Sequence, residues 1–235
     1  GQRAVRGKGQ VEGPGGGMGR GLSVSLDLDG TLTDLAFVDG VWNEGLPRLV
    51  AEHRGIDYAH ARELCRDAYL QEGEASIRWY QLSYWLDRFD LHHVDEDAVI
   101  SGFTSRISLF ADVIPALTTL RQEGCRLVLF SNAPRPFLDQ EVCHTSLDDY
   151  LDEMISLPDD WGMVKSGEEA YLRLLASLDG EVVHAGDHLS FDVEVPRRAG
   201  ITAYHIWRGT GAKLDDSLTD LGQLVDRITR GQNHP

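Results

Sequence analysis

The stretch LSVSLDLDGTLTD, residues 22–34, determines how the rest of the chain is interpreted. Its first five residues form a largely apolar run of the kind that becomes a buried parallel strand. Side chains alternate along a strand, so Asp27 and Asp29 leave its end on the same side, and Gly30 allows a sharp turn. The stretch therefore predicts two carboxylates at the carboxyl end of a strand, where open α/β sheets bind ligands.

Two acids in this position are compatible with more than one role. They suit the oxygen ligands of a divalent cation, and they also suit a nucleophile paired with a general acid/base. A plain turn followed by a helix cap uses the same residue types. The pair by itself leaves these alternatives open.

Polar residues also follow a second apolar run, at residues 125–130. Ser131 and Asn132 come next and precede a predicted helix, which suits either an anion site or an ordinary N-cap. Lys165 precedes the predicted helix 167–178, where a cation is unfavourable unless it faces a carboxylate or a phosphate. Both segments are compatible with phosphate binding.

A further pair of acids follows the apolar run 181–185. Asp187 and Asp192 at another strand end would repel each other unless a cation lies between them. Two histidines flank the site that these acids form. His184, within the strand, is predicted to be packed, whereas His188 is placed to touch a substrate.

The string DLDGTLTD resembles the first motif of the haloacid dehalogenase-like (HAD) hydrolase superfamily, and the three later segments resemble its other motifs in order. The resemblance covers about residues 22–208. Its members are mostly phosphatases that act through an aspartyl-phosphate. By position, the resemblance implies that Asp27 attacks phosphorus and that Asp29 handles the leaving-group proton.

The same resemblance assigns the remaining groups. It implies that Ser131, Asn132 and Lys165 bind the phosphate, and that Lys165 is also part of the catalytic set. Lys165-Ser166 stands where the family more often has Lys-Pro. The resemblance further implies a Mg²⁺ cofactor, and the metal ligands are then identified as Asp27, Asp29 through its carbonyl, Asp187 and, through water, Asp192.

Alternation of helices and apolar strands predicts the fold class, an α/β Rossmann-like doubly wound parallel sheet. Residues 22–36 and 107–235 form this core. Between them, residues 37–106 are predicted to be a flap and an all-helical cap. The flap is a hairpin at residues 37–42, where Asp-Gly lies between short apolar pairs. In the HAD superfamily, an insert between the first two motifs is a C1-type cap, and the resemblance implies the same here.

Aromatic residues are concentrated in one part of this insert, the predicted helix 76–90. Aromatic residues at helical spacing are more often core than a stacking platform, and they are interpreted as core. Three arginines of the insert are interpreted as solvated or ion-paired surface residues rather than anion ligands. The aromatic residues are Trp79, Tyr80, Tyr84, Trp85 and Phe89, and the arginines are Arg78, Arg88 and Arg106.

Composition limits the range of partners. The 235-residue chain has a formal charge of −16, which argues against nucleic acid as the main partner and makes a bound cation necessary for phosphate chemistry. No apolar run approaches the roughly 20 residues needed to span a membrane, so no membrane partner is expected. Three cysteines without metal-ligand spacing fit a cytoplasmic protein. A monomer or a homodimer is expected.

The first 21 residues differ from the rest. They hold nine of the 25 glycines and carry four basic residues against one acid, which predicts a flexible leader at residues 1–21.

Together these features predict Mg²⁺-dependent hydrolysis of a phosphate monoester of a small metabolite. A phosphomutase acting on a sugar phosphate, or a catalytically idle HAD-fold binding protein, are the alternatives. A dehalogenase fits less well, because that branch of the family lacks the second acid of the first motif.

Overall fold

A single sheet of five parallel strands forms the centre of the computed structural model, which describes residues 21–232. The strand order is β3-β2-β1-β4-β5. The chain therefore builds outward from the central strand first to one side and then to the other, which confirms the predicted doubly wound sheet. The strands are Leu22–Leu26 (β1), Arg126–Ser131 (β2), Glu153–Ser156 (β3), Glu181–Gly186 (β4) and Thr202–His205 (β5).

Helices connect the strands and form a separate group after β1. In chain order they are Ala36–Gly40 (α1), Leu46–Arg54 (α2), Tyr58–Glu72 (α3), Leu82–Arg88 (α4), Glu96–Ser101 (α5), Val113–Gln122 (α6), Arg135–Thr145 (α7), Glu168–Ser177 (α8), Val195–Arg198 (α9) and Leu221–Gln232 (α10). Short π-helical turns span Val41–Gly45, Leu157–Trp161 and Leu189–Glu194, and 3₁₀ turns span Ile77–Tyr80, Thr104–Arg106 and Leu147–Asp149. The leader predicted for residues 1–21 lies, apart from Gly21, outside the described residues.

Apolar side chains cover both faces of the sheet. Along β2, Leu127 and Leu129 belong to one core cluster, whereas Val128 and Phe130 belong to a second one. This alternation is what a strand buried on both faces requires. The first cluster continues into the helices that follow β1, so the helical insert shares apolar packing with the core.

The two ends of the helical insert lie side by side. The backbone N–H of Asp34 donates to the carbonyl of Ser108 at 3.0 Å, and the N–H of Phe110 donates to the carbonyl of Leu32 at 3.0 Å. The chain thus leaves the core directly after the Asp27–Asp34 stretch and returns next to it. This connection places the insert above the carboxyl end of β1.

The hairpin predicted at residues 37–42 is wrong. The segment is helical from Ala36 and continues through a π-helical turn into α2. Gly40 has a φ of −58°, whereas the tight hairpin turn needs a positive value. A Cβ atom on Gly40 would lie 2.5 Å from the ring of Phe103, so close packing explains this glycine. No flap is formed, and the insert is helical from its first residue.

Another helix also differs from its prediction. The helix expected at residues 76–90 is a 3₁₀ turn followed by α4. The final helix begins at Leu221, because the Asp220 carboxylate caps it by accepting from the N–H of Gln223 at 2.9 Å.

Candidate active site

All seven residues predicted for the site line one cavity of about 230 Å³ at the carboxyl ends of the central strands. Parallel strands bring their carboxyl ends to one edge, so residues far apart in sequence meet there. Asp27 directly follows β1, Ser131 ends β2, and Asp187 directly follows β4. The seven are Asp27, Asp29, Ser131, Asn132, Lys165, Asp187 and Asp192.

Lys165 lies at the centre of this cluster, with only 2% of its surface exposed. Its Nζ atom donates to Asp27 Oδ1 and to Asp192 Oδ1, each at 2.6 Å, and to the carbonyl of Phe130 at 3.2 Å. Burial alone would lower the pKa of Lys165, but the charges of Asp192 and Asp27 raise it above its usual value. Lys165 is therefore a fixed positive charge beside the proposed nucleophile.

Asp192 is held from several directions. Oδ1 accepts from Lys165 and lies 3.1 Å from Nε2 of His184, and Oδ2 accepts from the backbone N–H of His188 at 3.1 Å. Burial opposes ionisation, but Lys165 and His184 keep the pKa of Asp192 below its usual range. Because these contacts occupy both carboxylate oxygens, Asp192 positions Lys165 in addition to its predicted role toward a metal.

The two histidines lie where the sequence placed them. His184 is fully buried and bonds to Ser25, Tyr171 and Asp192, and burial lowers its pKa. His188 stacks on Phe191 with ring centroids 4.2 Å apart, and it lines the cavity. Its Nε2 atom lies 3.3 Å from Glu74 of the insert, so it joins the core to the insert.

The donor set at the cavity fits a divalent cation. One oxygen from each of Asp27, Asp187 and Asp192 lies within 4.8 Å of the others. Burial, followed by the charges of Asp27 and Asp192, raises the pKa of Asp187 to about 8. A Cβ atom on Gly30, whose φ is 78°, would lie 2.3 Å from Asp187 Oδ2. Only glycine leaves space for the Asp187 carboxylate, and carboxylates this crowded are stabilised by a hard cation.

Asp29 faces a glutamate that the sequence did not predict to be part of the site. Glu141 of α7 is fully buried, accepts from Thr33 Oγ1 at 2.8 Å, and lies close enough to Asp29 for the charge of that carboxyl to raise its pKa. Asp29 Oδ1 and Glu141 Oε2 are buried and have no hydrogen-bond partner among the described residues. Burial, then the charge of Asp27, raises the pKa of Asp29 to about 7, and burial raises that of Glu141 well above its usual value. A proton between the two carboxyls satisfies both oxygens.

We expect Glu141→Gln to weaken the pH dependence of stability. The buried Glu141 retains a proton that the unfolded chain releases above about pH 4.5, so the wild-type free energy of unfolding falls as pH rises. One retained proton contributes about 1.4 kcal/mol per pH unit. Glutamine carries no such proton, so its slope between pH 5 and pH 7 should be shallower by about that amount. Urea unfolding in chelator measures both slopes.

The control is Glu169→Gln, at an exposed position in the first turn of α8. This variant should keep the wild-type slope. A Glu141→Gln protein with an unchanged slope and a large loss of stability would show that Glu141 is ionised in the folded protein.

Ser131 and Asn132 line the cavity, but their side chains already have protein partners. Ser131 Oγ accepts from the N–H of Ala133 at 2.9 Å. Asn132 Oδ1 accepts from the N–H of Lys165 at 2.9 Å, and its amide donates to the Tyr80 hydroxyl at 3.0 Å. The Asn132 amide thus links the core to the insert. The phosphate role of both residues remains a prediction.

Two aromatic residues of the insert belong to the cavity rather than to the core. Trp79 and Tyr80 line it, whereas Trp85 and Phe89 are buried as predicted. The 3₁₀ turn at 77–80 explains the difference, because it ends the helical spacing on which the core interpretation depended. The arginines have other partners: Arg78 lies over Tyr84, Arg88 bonds to Glu72, and Arg106 bonds to Glu44.

Glu141 and Arg208 are the structural contributors that sequence reasoning missed. Glu141 lies on the same helical face as Phe137 and Leu138, so an acid within an apolar stripe was the available signal. Arg208 donates to the carbonyl of Thr31 at 2.7 Å and pairs with Asp112 at 2.9 Å, which braces the loop after β1. Nothing in the sequence around Arg208 indicates this contact.

This arrangement defines the class of protein. The family model described as haloacid dehalogenase-like hydrolase matches residues 23–200, and the chain belongs to that family. Among curated proteins, the chain is similar to the GMP/IMP nucleotidase YrfG of Escherichia coli (strain K12), with 34% identity over 134 residues. The match covers 57% of this chain and 59% of the relative, so it spans less than two thirds of the relative's length.

Solved structures of proteins with different functions show the same fold. A HAD phosphatase from Thermococcus onnurineus matches with a TM-score of 0.76 and 23% identity, covering 88% of this chain and 97% of that one. A putative beta-phosphoglucomutase from Thermotoga maritima matches with a TM-score of 0.59 and 19% identity, covering 88% and 98%. An L-2-haloacid dehalogenase from Xanthobacter autotrophicus reaches 0.58 with 20% identity, covering 89% and 98%. The fold alone therefore leaves the reaction undecided.

Within residues 21–232, no helix is both long enough and apolar enough to cross a membrane.

Proposed function

We propose that this protein is a Mg²⁺-dependent phosphatase that hydrolyses the phosphate monoester of a small metabolite through an aspartyl-phosphate on Asp27. The observation that carries the proposal is the buried contact of Asp27 with Lys165, next to Asp187 and within the cavity that also contains Asp29. A nucleophile, a fixed cation, a metal ligand and an acid thus face one cavity. This set matches the needs of phosphoryl transfer.

In the first step an oxygen of Asp27 attacks phosphorus, and the bond from phosphorus to the ester oxygen breaks. The electron pair goes to the leaving oxygen, which takes the proton of Asp29. The raised pKa of Asp29, about 7, keeps it able to donate that proton near neutral pH. Lys165 balances negative charge on the transferring group.

In the second step Asp29, now a carboxylate, takes a proton from water. That water attacks phosphorus, the bond to Asp27 breaks, and inorganic phosphate is released with both carboxyl groups restored. Asp27, Asp187 and the Asp29 carbonyl would hold Mg²⁺, with Asp192 in support. A bound Mg²⁺ supplies positive charge that stabilises the phosphoryl oxygens.

The relatives guide the choice of substrate. YrfG is named a GMP/IMP nucleotidase, and a nucleoside 5′-monophosphate is a small phosphate monoester. We therefore propose purine nucleoside monophosphates as the first substrates to test. The dehalogenase alternative has no use for Asp29, because a halide leaves without a proton.

A substrate panel tests the proposal. We expect release of inorganic phosphate from an aryl phosphate and from at least one nucleoside monophosphate with Mg²⁺ present, and loss of that release in chelator. Product analysis with a sugar phosphate distinguishes hydrolysis from phosphoryl return, which would indicate a mutase. Turnover that persists in chelator would contradict the metal-dependent mechanism. Absence of turnover on every ester would favour a binding protein.

A further inference from the structure

A second cavity, of about 290 Å³, adjoins the catalytic one. The two cavities share Asp29, Trp79, Tyr80 and Ala133. Because Asp29 is the proposed donor to the leaving oxygen, the group attached to that oxygen extends from the shared boundary into the second cavity. We call this second cavity the leaving-group pocket. Its size is close to the lower limit of small-molecule pockets, about 300 Å³.

Aromatic side chains dominate the leaving-group pocket. Their hydroxyls are already used within the protein, since Tyr69 donates to the carbonyl of Trp42 at 3.0 Å and Tyr80 donates to the carbonyl of Glu74 at 3.0 Å. The rings therefore provide apolar surface, which suits stacking against a planar ring. The aromatic lining residues are Trp42, Tyr69, Trp79, Tyr80 and Phe137.

Charge in the pocket argues against a second phosphate. The lining residues, all within the described chain, include Asp29 and Asp39 but no lysine or arginine. A leaving group that carried its own phosphate would therefore meet two acids without a compensating cation. An uncharged leaving group that contains a planar ring, such as a nucleoside, fits this lining better than a sugar phosphate does.

Asp39 and Asn43 supply the pocket's remaining polar side chains. They lie one helical turn apart, and Asn43 Nδ2 donates to Asp39 Oδ1 at 2.9 Å. A carboxylate accepts through two oxygens, and an amide nitrogen has two N–H groups. The pair therefore keeps one acceptor on Asp39 and one donor on Asn43 for a ligand. Both residues are exposed, so a ligand can reach them.

We infer that Asp39 and Asn43 determine specificity for a 6-oxopurine nucleoside monophosphate. The inference rests on the proposed phosphatase function. A 6-oxopurine such as guanine or hypoxanthine presents an N1–H donor beside its O6 acceptor. Asp39 accepts from N1–H, and Asn43 donates to O6. Adenine presents an acceptor at N1 and a donor at the 6-position, so it leaves both partners mismatched.

The test compares wild type with Asp39→Asn on IMP, GMP, AMP and an aryl phosphate. Losing a hydrogen bond to a charged group predicts a fall in kcat/KM of about 10- to 100-fold for IMP and GMP. The kcat/KM for AMP should stay the same or rise, because the amide introduced at position 39 donates to N1 of adenine. The aryl phosphate should change less than about threefold. Asn43→Ala should lower the kcat/KM for IMP without changing the kcat/KM for the aryl phosphate.

Asp67→Asn is the matched control, because it removes one acid from an exposed position on α3, outside the pocket lining. It should leave all four substrates unchanged. Equal losses on every substrate in Asp39→Asn, or no loss on IMP, would overturn the inference.

Binding separates this inference from the phosphatase proposal. Trp42 and Trp79 line the pocket, so inosine should quench tryptophan fluorescence in wild type and more weakly in Asp39→Asn. Quenching by inosine without turnover of any ester would support the purine pocket and contradict the phosphatase proposal. Turnover of the aryl phosphate without quenching by inosine would support the phosphatase proposal and contradict the assignment of the pocket to a purine.

Discussion

Replacing Asp27 by asparagine is expected to lower kcat by at least about 10⁴-fold on every ester the protein hydrolyses. Losing a covalent nucleophile has an effect of this order or larger, because the residual binding groups cannot replace bond formation. Asparagine has the shape of aspartate, and its Oδ1 still accepts from Lys165, which contacts Asp27 Oδ1 at 2.6 Å. Thr31 donates to Asp27 Oδ2 at 3.2 Å, and its hydroxyl can instead accept from the amide nitrogen that replaces this oxygen. The loss therefore reports chemistry rather than unfolding.

Two measurements accompany that prediction. Intact-mass analysis of acid-quenched reactions should detect a phosphoryl adduct on the wild type and none on Asp27→Asn. The matched control is Asp34→Asn, the same change seven positions later; its Oδ1 accepts from the N–H of Ala36 at 2.9 Å, as an amide oxygen also does. It should keep turnover within about threefold. Substantial turnover by Asp27→Asn would exclude the aspartyl-phosphate route.

The core of the site was predictable because strand order constrains it. Asp27, Ser131 and Asp187 each follow an apolar run, and parallel strands bring the ends of such runs to one edge. The sequence alone therefore groups Asp27, Ser131 and Asp187. Lys165 and Asp192 were placed by resemblance to a family, and the structure brings both into contact with each other.

The remaining features depend on contacts between distant segments, which a local pattern does not encode. Asp29 and Glu141 are 112 positions apart, and they come together because Glu141 of α7 accepts a hydrogen bond from Thr33 in the loop after β1. Gly40 was assigned to a turn from its neighbours, but its contact is with Phe103. Trp79 lines the cavities because a 3₁₀ turn interrupts the expected helix.

Lys165→Met is expected to reduce both activity and stability. Methionine fills similar space, but it leaves Asp27 and Asp192 buried without their shared cation. Removing one partner of a buried ion pair typically costs about 3–5 kcal/mol, because the remaining charge stays uncompensated. We expect a loss of that order in the free energy of unfolding in chelator at pH 7.5. Urea unfolding measures it, and phosphate release should fall in parallel.

The control for Lys165→Met is Lys213→Met, at an exposed lysine that lies over Trp207. This change should alter the free energy of unfolding by less than about 0.5 kcal/mol. An equal effect of the two substitutions would show that burial of the Lys165 charge has no special energetic role.

Charge neutralisation distinguishes an electrostatic loss from a packing defect in Lys165→Met. Lys165 keeps the pKa of Asp192 below its usual range, so removing the lysine allows that carboxyl to take up a proton as pH falls. The loss in the free energy of unfolding caused by Lys165→Met should therefore be smaller at pH 5 than at pH 7.5. Adding Asp192→Asn should recover part of the stability, because it removes one uncompensated charge, and the two substitutions should be non-additive. If the loss in the free energy of unfolding is the same at both pH values and is unchanged by Asp192→Asn, its cause is a cavity or a misfit of the methionine side chain.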